Sequence, residues 1–504
     1  MKKFHAIWLP ILLVSLATVA ASAQSFRVQC PVTTTLHPGQ PTDQGGIKCQ
    51  QISGGDGYAT MADGTQTYLF AFGPLSGLNN IANGLPGTEP ASTFMTPYDP
   101  TAAPGTDASN GAVGLVPDPN SIPAGQFTGH VDARQIMDVG VMNGNIPAPM
   151  MAIDEDDEFF LTLTNVGMIM RPDLFEQHTV HFHGYPNASA FYDGVPDASV
   201  AINIGGSFTY YYLAPDAGTY FWHCHITPPE HLQMGMVGQL YVRPRQNRVP
   251  VGGNLYAGLQ AQQTNLRTAS NCGADILCAS PLPPSDSGAT RASTGNYAYN
   301  DGDGSTHYDV EYPIQIHGFD PNFHFVGMTF NPEGFSDMKD KYFLLNGRSY
   351  PDTVNAGGYK DTSLAPGNSA FVGQPLQSSA MYTSSADGVA RPSQPLPTII
   401  NIPHNGRALL RISDLDVSEY QTLASLGIPM QVIALNARLL RDVAGNNMYY
   451  TTNSITLGGG ESLDVILDSN GVPAGTYYLY TPQLDHLSND AENFGGLMTE
   501  VHVN

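Results

Sequence analysis

Basic residues are scarce in this chain. It has 20 lysines and arginines against 44 aspartates and glutamates, which gives a formal net charge of −24 over 504 residues. A surface with this excess of negative charge repels a polyanion, so we exclude nucleic acid as a partner. The same charge suits cationic partners, including metal ions and basic electron-transfer proteins, and it also favours simple solubility.

A long apolar run is missing beyond the N-terminus. Residues 6–20 are mostly apolar, follow Lys2 and Lys3, and precede the small residues Ala21-Ser22-Ala23. A run of about 15 residues is short for a membrane span, which needs about 20, and this order of features is typical of a secretion signal. We therefore expect residues 1–23 to be a signal peptide. The mature chain would have no membrane span and would be periplasmic or extracellular; a retained N-terminal anchor is the alternative.

Cysteine is also infrequent, with an odd total of five. Cys30 and Cys49 lie close together in the sequence, as do Cys272 and Cys278, and in an oxidising compartment each pair can form a local disulfide. Cys224 is then left without a cysteine partner.

Long helical periodicity is missing as well, whereas glycine and proline are abundant (53 and 39). Short alternating strands joined by Gly/Pro turns favour an all-β fold with two Greek-key β-sandwich domains. We expect a loop-rich segment over 24–130, a first sandwich over 131–247, a linker with a stapled loop over 248–310, and a second sandwich over 311–504.

The two strand-rich regions resemble each other. Each has an Asn-Gly start, a Leu-x-Leu or Leu-x-Ile strand, and an Ala-Gly-Thr-Tyr strand at Ala217–Tyr220 or Ala474–Tyr477. This internal repeat predicts two copies of one sandwich.

Two short segments hold six of the 15 histidines. The first is His178-Thr-Val-His181-Phe-His183-Gly184, and the second begins His223-Cys224-His225 and continues to His231 and Met236. Side chains alternate between the two faces of a strand. Cys224 therefore points away from His223 and His225, and His178 has the opposite parity to His181 and His183. The pattern predicts two metal sites on opposite sides of the same strands.

The first predicted site combines His178, Cys224 and His231 with Met236 as the axial residue. Two imidazoles, a thiolate and a weak thioether are the ligands of blue copper, which exchanges single electrons. The second predicted site takes its ligands from His181, His183, His223 and His225, since imidazole nitrogen suits copper. Zinc could use these residues too, and a lone His-x-His is weak evidence; the joint occurrence of both segments favours copper.

These motifs resemble those of multicopper oxidases and copper nitrite reductases, which are built from cupredoxin domains. The resemblance runs from Asn143 to Val242, and the C-terminal part from Tyr342 to Val503 resembles an oxidase domain without copper. The spacing from Cys224 to His231 resembles a bacterial two-domain type with blue copper in its first domain. That resemblance implies a homo-oligomer, with a trimer as one form. It also implies that Asp193, followed by Gly194, is an acid near the oxygen site, or else a turn residue.

A trinuclear cluster in this family needs about eight histidines, and the C-terminal domain lacks its share. The positions that we match to His-x-His-Gly read Leu426-Gly-Ile-Pro-Met430, and those matched to His-x-His read Tyr478-Leu-Tyr480. The remaining histidines there are unpaired in the sequence. A site that holds one or two coppers and is completed by a histidine of a neighbouring subunit would fit this pattern.

Three functions follow. The leading hypothesis is an oxidase that passes electrons from a small reducing substrate or redox protein, through blue copper, to a histidine-bound copper site that reduces dioxygen. The second is nitrite reduction at a single copper held by His183, His223 and a partner's histidine. The third is a non-catalytic periplasmic electron carrier or copper-binding protein.

Overall fold

The computed structural model describes most of the chain outside the N-terminus. The described residues are 28–38, 46–99, 102, 106–113, 133–184, 189–214, 216–266, 281–328, 334–354, 380–383, 390–393 and 398–504. The predicted signal peptide and the Cys272/Cys278 pair lie outside them. Within these ranges, no helix has the length and apolar character needed to cross a membrane.

The first sandwich consists of two sheets with a shared apolar core. Its strands are β1 (Ile47–Thr60), β2 (Gln66–Pro74), β3 (Glu89–Pro90), β4 (Met151–Asp154), β5 (Glu158–Gly167), β6 (His181–Phe182), β7 (Ser207–Leu213), β8 (Gly218–His223) and β9 (Val237–Arg243). One sheet has the order β2-β1-β5-β7, with β3 beside β1, and the other has the order β4-β9-β8-β6. The strand that ends at His223 therefore lies inside the second sheet.

Strands β1 and β2 lie in the segment that the sequence analysis expected to be loop-rich. Strand β1 pairs in parallel with β5 along most of its length, so the first sandwich begins near Ile47 and not near residue 131. These strands are hard to predict because glycine normally weakens a strand, and Gly54, Gly55 and Gly57 interrupt β1. The predicted disulfide between Cys30 and Cys49 is confirmed, and it ties the N-terminal part to β1.

The second sandwich is larger. After the short hairpin of β10 (Asn296–Tyr297) and β11 (His307–Tyr308), its strands are β12 (Val310–Phe319), β13 (Tyr342–Leu345), β14 (Ala380–Thr383), β15 (Ala390–Ser393), β16 (Ile400–Ile402), β17 (Arg407–Asp414), β18 (Gln421–Leu426), β19 (Met430–Leu435), β20 (Arg438–Leu439), β21 (Tyr450–Thr452), β22 (Ser454–Leu457), β23 (Ser462–Asp468), β24 (Gly475–Tyr480), β25 (Ser488–Asn489), β26 (Glu492–Asn493) and β27 (Met498–Val503). The core sheets have the orders β20-β19-β23-β17-β12-β13-β25-β26 and β16-β27-β24-β18-β22.

The internal repeat extends to the topology. The order β2-β1-β5-β7 of the first sandwich recurs as β13-β12-β17-β23 in the second, and β4-β9-β8-β6 recurs as β16-β27-β24-β18. The parallel pairs recur too, since β1·β5 corresponds to β12·β17 and β4·β9 to β16·β27. The predicted all-β fold of two related sandwiches is confirmed.

Helices are short and lie between the strands. They are α1 (Leu78–Ala82), α2 (Ala91–Phe94), α3 (Asp107–Asn110), α4 (Ala133–Gly140), α5 (Pro228–Gln233), α6 (Leu255–Leu266) and α7 (Pro321–Met328). Helix α5 has Pro228 at its first turn, a position where the missing amide hydrogen removes no helical bond. It carries His231, so a short helix delivers one residue of the predicted first site.

A buried arginine joins the two sandwiches. Arg411 of β17 is fully buried, and its guanidinium contacts Glu311 at 3.0 Å and lies 4.8 Å from the ring centroid of Tyr241 in β9. Glu311 also binds Arg243 of the first sandwich at 2.9 Å. Burial is the largest effect on Glu311 and raises its pKa, but Arg411 and Arg243 outweigh it and lower that pKa. Charge pairing therefore fixes how one sandwich docks on the other.

We predict that Arg411→Leu lowers the free energy of unfolding by about 3–5 kcal/mol, because it leaves the carboxylate of Glu311 buried with one cation fewer. Arg407→Leu on the same strand is the matched control. Its partner Asp468 is half exposed, so we expect a loss of at most about 1 kcal/mol. Urea denaturation of both variants checks this, and equal losses would show that the buried pairing is not what holds the interface.

Candidate metal centres

The first cluster consists of His178, Cys224 and His231. One ligand atom of each lies within 4.8 Å of the other two, and all three side chains are buried. Cys224 directly follows β8, and its Sγ lies 3.3 Å from Nδ1 of His231 and accepts the backbone N–H of Thr179 at 3.3 Å. His178 is held by two backbone hydrogen bonds to Ile202, at 3.1 and 3.0 Å. Cys224 forms no disulfide.

Electrostatics make the sulfur of this cluster a thiolate. Burial raises the pKa of Cys224, but the charge of His231 and hydrogen bonds from both histidines outweigh it, so the pKa falls well below its usual range. Burial lowers the pKa of His231, yet the thiolate raises it to about 10. The ring nitrogens of His178 have no oxygen or nitrogen partner in the described residues. A buried thiolate facing unsatisfied imidazole nitrogen fits a soft metal ion, which such donors bind.

Met236 and Gly54 pack on the same side of this cluster. The Met236 side chain is fully buried, and its backbone carbonyl accepts the N–H of Cys224 at 3.1 Å. A Cβ on Gly54 would lie 2.7 Å from Cδ2 of His178 and 3.3 Å from Cε of Met236. Because Gly54 has no side chain, there is space beside it for the side chains of His178 and Met236.

The second cluster consists of His181, His183 and His223, whose ligand atoms also lie within 4.8 Å of one another. Nδ1 of His181 donates to the carbonyl of Asp193 at 2.7 Å, and Nδ1 of His223 donates to the carbonyl of Cys224 at 2.6 Å. Because these carbonyls hold the Nδ1 atoms, Nε2 is the nitrogen that remains for a metal. The Nε2 atoms of His183 and His223 are 3.0 Å apart.

The imidazoles of His183 and His223 are held in the neutral form that a metal requires. Burial is the main effect that lowers the pKa of His223 to about 3. Burial, with the nearby charge of His181, lowers the pKa of His183 to about 4. Neutral imidazole is the ligand form of histidine, so the donor set suits copper at this place as well.

His225 lies beside the second cluster rather than within it. Its ring centroid is 5.1 Å from that of His181 and 5.4 Å from that of His223, but it does not belong to the group of three with converging ligand atoms. Strand β8 ends at His223, so the alternation of faces no longer fixes the direction of the His225 side chain.

Asp193 contacts the second cluster through its backbone. Its carbonyl accepts from His181 at 2.7 Å, whereas its carboxylate lies 3.6 Å from the same nitrogen and is about one third exposed. Gly194 has φ +80°, and a Cβ there would lie 2.0 Å from the carbonyl oxygen of Val180. The Asp-Gly pair is thus a close turn that brings the carbonyl to the ring, which agrees with the turn reading of this motif.

A cleft of about 610 Å³ opens onto His183 and His223 at the junction of the sandwiches. Strands β17 and β23 of the second sandwich pack against β8. The opposite wall of the cleft carries Asp416, Glu419, Glu461 and the run Gly458–Gly460. The second sandwich therefore borders the site with carboxylates and backbone.

Strand register identifies which residues of the second sandwich stand at the histidine positions. Gly218 pairs with Val242 in β8·β9 as Gly475 pairs with Val503 in β24·β27, so β24 matches β8 residue by residue. His223 then corresponds to Tyr480, and His181, which pairs with His223, corresponds to Ala424. The sequence alignment at Leu426 and Tyr478 was wrong by two residues, but the conclusion that histidines are missing from these positions holds.

Sequence reasoning missed Glu176, which lies two residues before His178. Its Oε2 is 3.5 Å from Nε2 of the fully buried His231, and its side chain is about one quarter exposed. A hydrogen bond from His231 is the largest effect on Glu176 and lowers its pKa. The only signal in the sequence is that Glu176 lies close to His178, a predicted ligand. That signal does not indicate a contact with His231, which is distant in the sequence.

The fold is of the cupredoxin type, and the two clusters carry donor atoms that could hold a metal ion. Residues 127–247 match the family model described as multicopper oxidase. This region of the chain is therefore similar to the multicopper oxidase family. The match leaves out β1 and β2, which complete the same sandwich.

Relatives match over the same region. Laccase abr2 of Aspergillus fumigatus is 34% identical over 109 residues, which are 21% of this chain and 17% of the laccase. A copper-containing nitrite reductase of Rhizobium meliloti is 32% identical over 117 residues, 22% of this chain and 28% of the reductase. The blue copper oxidase of Nitrosomonas europaea aligns with a TM-score of 0.49 at 16% identity, over 90% of this chain and 85% of that one. The matches thus span less than a third of these two curated relatives.

We predict that Gly54→Ala lowers the copper affinity of the first centre by about 10- to 100-fold. A loss of this size is expected when a substitution outside the ligand set displaces a metal ligand. The added Cβ would displace the ring of His178 or the end of Met236. Ser53→Ala, which changes the same strand without adding volume, should bind copper normally. Copper titration followed by visible absorption checks this; unchanged affinity in Gly54→Ala would show that the space behind His178 is not required.

Proposed function

We propose that this chain is a copper-dependent oxidoreductase with two linked centres. His178, Cys224, His231 and Met236 would hold a type 1 copper, which would supply one-electron chemistry with a reducing substrate, and the histidine cluster would hold the copper that supplies dioxygen reduction. Copper supplies the one-electron chemistry that these donor sets support. The observation that carries the proposal is the pair of clusters on either side of one peptide link, between His223 and Cys224.

The chain itself provides a short route between the centres. From Sγ of Cys224 the route follows the Cys224 backbone to its carbonyl, and then one hydrogen bond of 2.6 Å to the ring of His223. It consists of covalent bonds and this single short contact. The arrangement therefore supports electron transfer from the thiolate side of β8 to the imidazole side.

The second centre takes its ligands from His181, His183 and His223, with His225 at its edge. Asp193 orients His181 through its carbonyl, and its partly exposed carboxylate, 3.6 Å from the same ring nitrogen, would be the acid near this centre. Dioxygen would reach these imidazoles through the cleft at the domain junction.

The reducing substrate would meet the protein near Glu176. This carboxylate connects the buried His231 with the surface, and the same loop exposes Ile169 and Phe175, at 58% and 83%. Large exposed apolar side chains beside a carboxylate suit an aromatic donor such as a phenol. A redox protein with an apolar contact face is the other donor class.

The alternatives differ in what the second cluster does. A nitrite reductase would admit an anion, but Asp416, Glu419 and Glu461 line the cleft and repel one. A pure electron carrier would leave the second cluster without a role, and the residues of the second sandwich at Ala424 and Tyr480 favour that reading. Three imidazoles with converging nitrogens favour the oxidase over it.

Export and assembly belong to the same proposal. The disulfide between Cys30 and Cys49 suits an oxidising compartment, which supports a periplasmic or extracellular location after removal of residues 1–23. The bacterial two-domain type, and a trimer with it, follow from the resemblance of the motif that runs from Cys224 to His231.

Two variants separate the centres. We predict that Cys224→Ser abolishes the intense visible absorption and keeps copper at the second centre, whereas His183→Ala keeps the absorption and loses that copper. Each should lower oxygen uptake with a methoxyphenol donor by at least about a hundredfold, because the two centres act as a unit. His404→Ala changes an exposed histidine and should leave both properties unaltered.

Copper analysis, electron paramagnetic resonance and an oxygen electrode give the readouts. One intensely absorbing copper per chain without oxygen uptake would contradict the oxidase and support the carrier. Nitrite-dependent gas formation would support the reductase. A protein that binds copper without the visible absorption would contradict the whole assignment of the first centre.

A further inference from the structure

The run Gly458–Gly460 reaches across the domain junction to His183. A Cβ on Gly460 would lie 2.9 Å from both Nδ1 and Cε1 of His183, and Gly460 has φ +87°. The backbone of Gly460 also makes a favourable contact with this imidazole, although burial keeps the pKa of His183 low. The second sandwich thus supports the ring edge that faces away from His223.

The loop is held firmly by its own domain. The N–H of Gly460 donates to the carbonyl of Asp414 at 2.9 Å, and the N–H of Gly458 donates to Oε2 of Glu461 at 2.8 Å. A Cβ on Gly459 would lie 2.0 Å from the carbonyl oxygen of Asp416. Because neighbouring strands fix the loop from behind, displacement at Gly460 would be taken up by His183.

We propose that Gly460 is a positioning residue for the second metal centre, and that this centre forms between the two sandwiches of one chain. The inference rests on the proposed function, since it assigns a role toward the copper of that centre. It gives the second sandwich a part in metal binding through backbone, although Ala424 and Tyr480 stand where the first sandwich has histidines. A second subunit is then unnecessary for holding His183.

Gly460→Ala tests this against Gly471→Ala as the matched control. Gly471 lies in the same domain with φ +74°, and nothing lies within 4 Å of its Cβ position. Both variants place alanine in the left-handed region and share that backbone strain. Only Gly460→Ala adds a methyl group against His183.

Four measurements on the full chain test the inference. Copper titration with electron paramagnetic resonance should show at least a tenfold loss of second-centre copper affinity in Gly460→Ala alone. The visible absorption of the first centre should remain, and thermal unfolding should match that of Gly471→Ala. In the metal-free protein, the imidazole nitrogen resonances of His183 should shift in Gly460→Ala and stay in place in the control.

The outcomes distinguish this inference from the proposed function. Wild-type protein without second-centre copper would overturn the proposed function, while the nitrogen resonances of the metal-free protein would still decide whether Gly460 positions the ring. Normal second-centre affinity in Gly460→Ala, or unmoved His183 resonances, would overturn the inference. Equal losses of copper in both glycine variants would overturn it too, because strain in the domain would then explain the effect.

Discussion

The end of strand β8 is the constraint on which both clusters depend. His223 is the last strand residue and Cys224 is the next, so their side chains leave the backbone toward opposite sides. Cys224 enters the apolar core of the first sandwich, where two imidazoles make it a thiolate. His223 points to the domain junction, where it meets His183. One peptide link therefore joins a buried sulfur site to an open imidazole site. A shift of one residue in the pairing of β8 would exchange the two faces and abolish both sites.

The second sandwich shows how a repeated fold can keep a structural role after its equivalent positions carry no metal-binding side chains. Its strands repeat the topology of the first, but Tyr480 and Ala424 fill the positions of His223 and His181. What remains at the junction is packing and polar contact. Glu311 pairs with Arg243 across the junction and is itself paired with Arg411, and the glycine run brings backbone against an imidazole. Glycine suits this task because only a residue without a side chain lets its backbone approach the ring so closely.

Much of this molecule could be predicted from local sequence patterns, and the failures have physical causes. The parity of His178 and Cys224 could be predicted, because alternation along a strand is a local property. Strands β1 and β2 could not, since the glycines of β1 are tolerated only through the long-range parallel pairing with β5. The contact of Asp193 was beyond prediction as well. It uses a backbone carbonyl, which every residue possesses, so no side-chain pattern marks it.

The chemistry of the first cluster also bears on how folding and metal binding are linked. His178 lies inside the core with ring nitrogens that lack oxygen or nitrogen hydrogen-bond partners in the described residues. Burying polar atoms in this way destabilises a fold by about 1–3 kcal/mol for each group. A metal ion that binds one of these nitrogens together with the thiolate would satisfy both donors, and it would stabilise the folded state because the unfolded chain offers no preformed site. The same geometry would thus link the stability of the folded domain to metal binding, and the space beside Gly54 is part of that geometry.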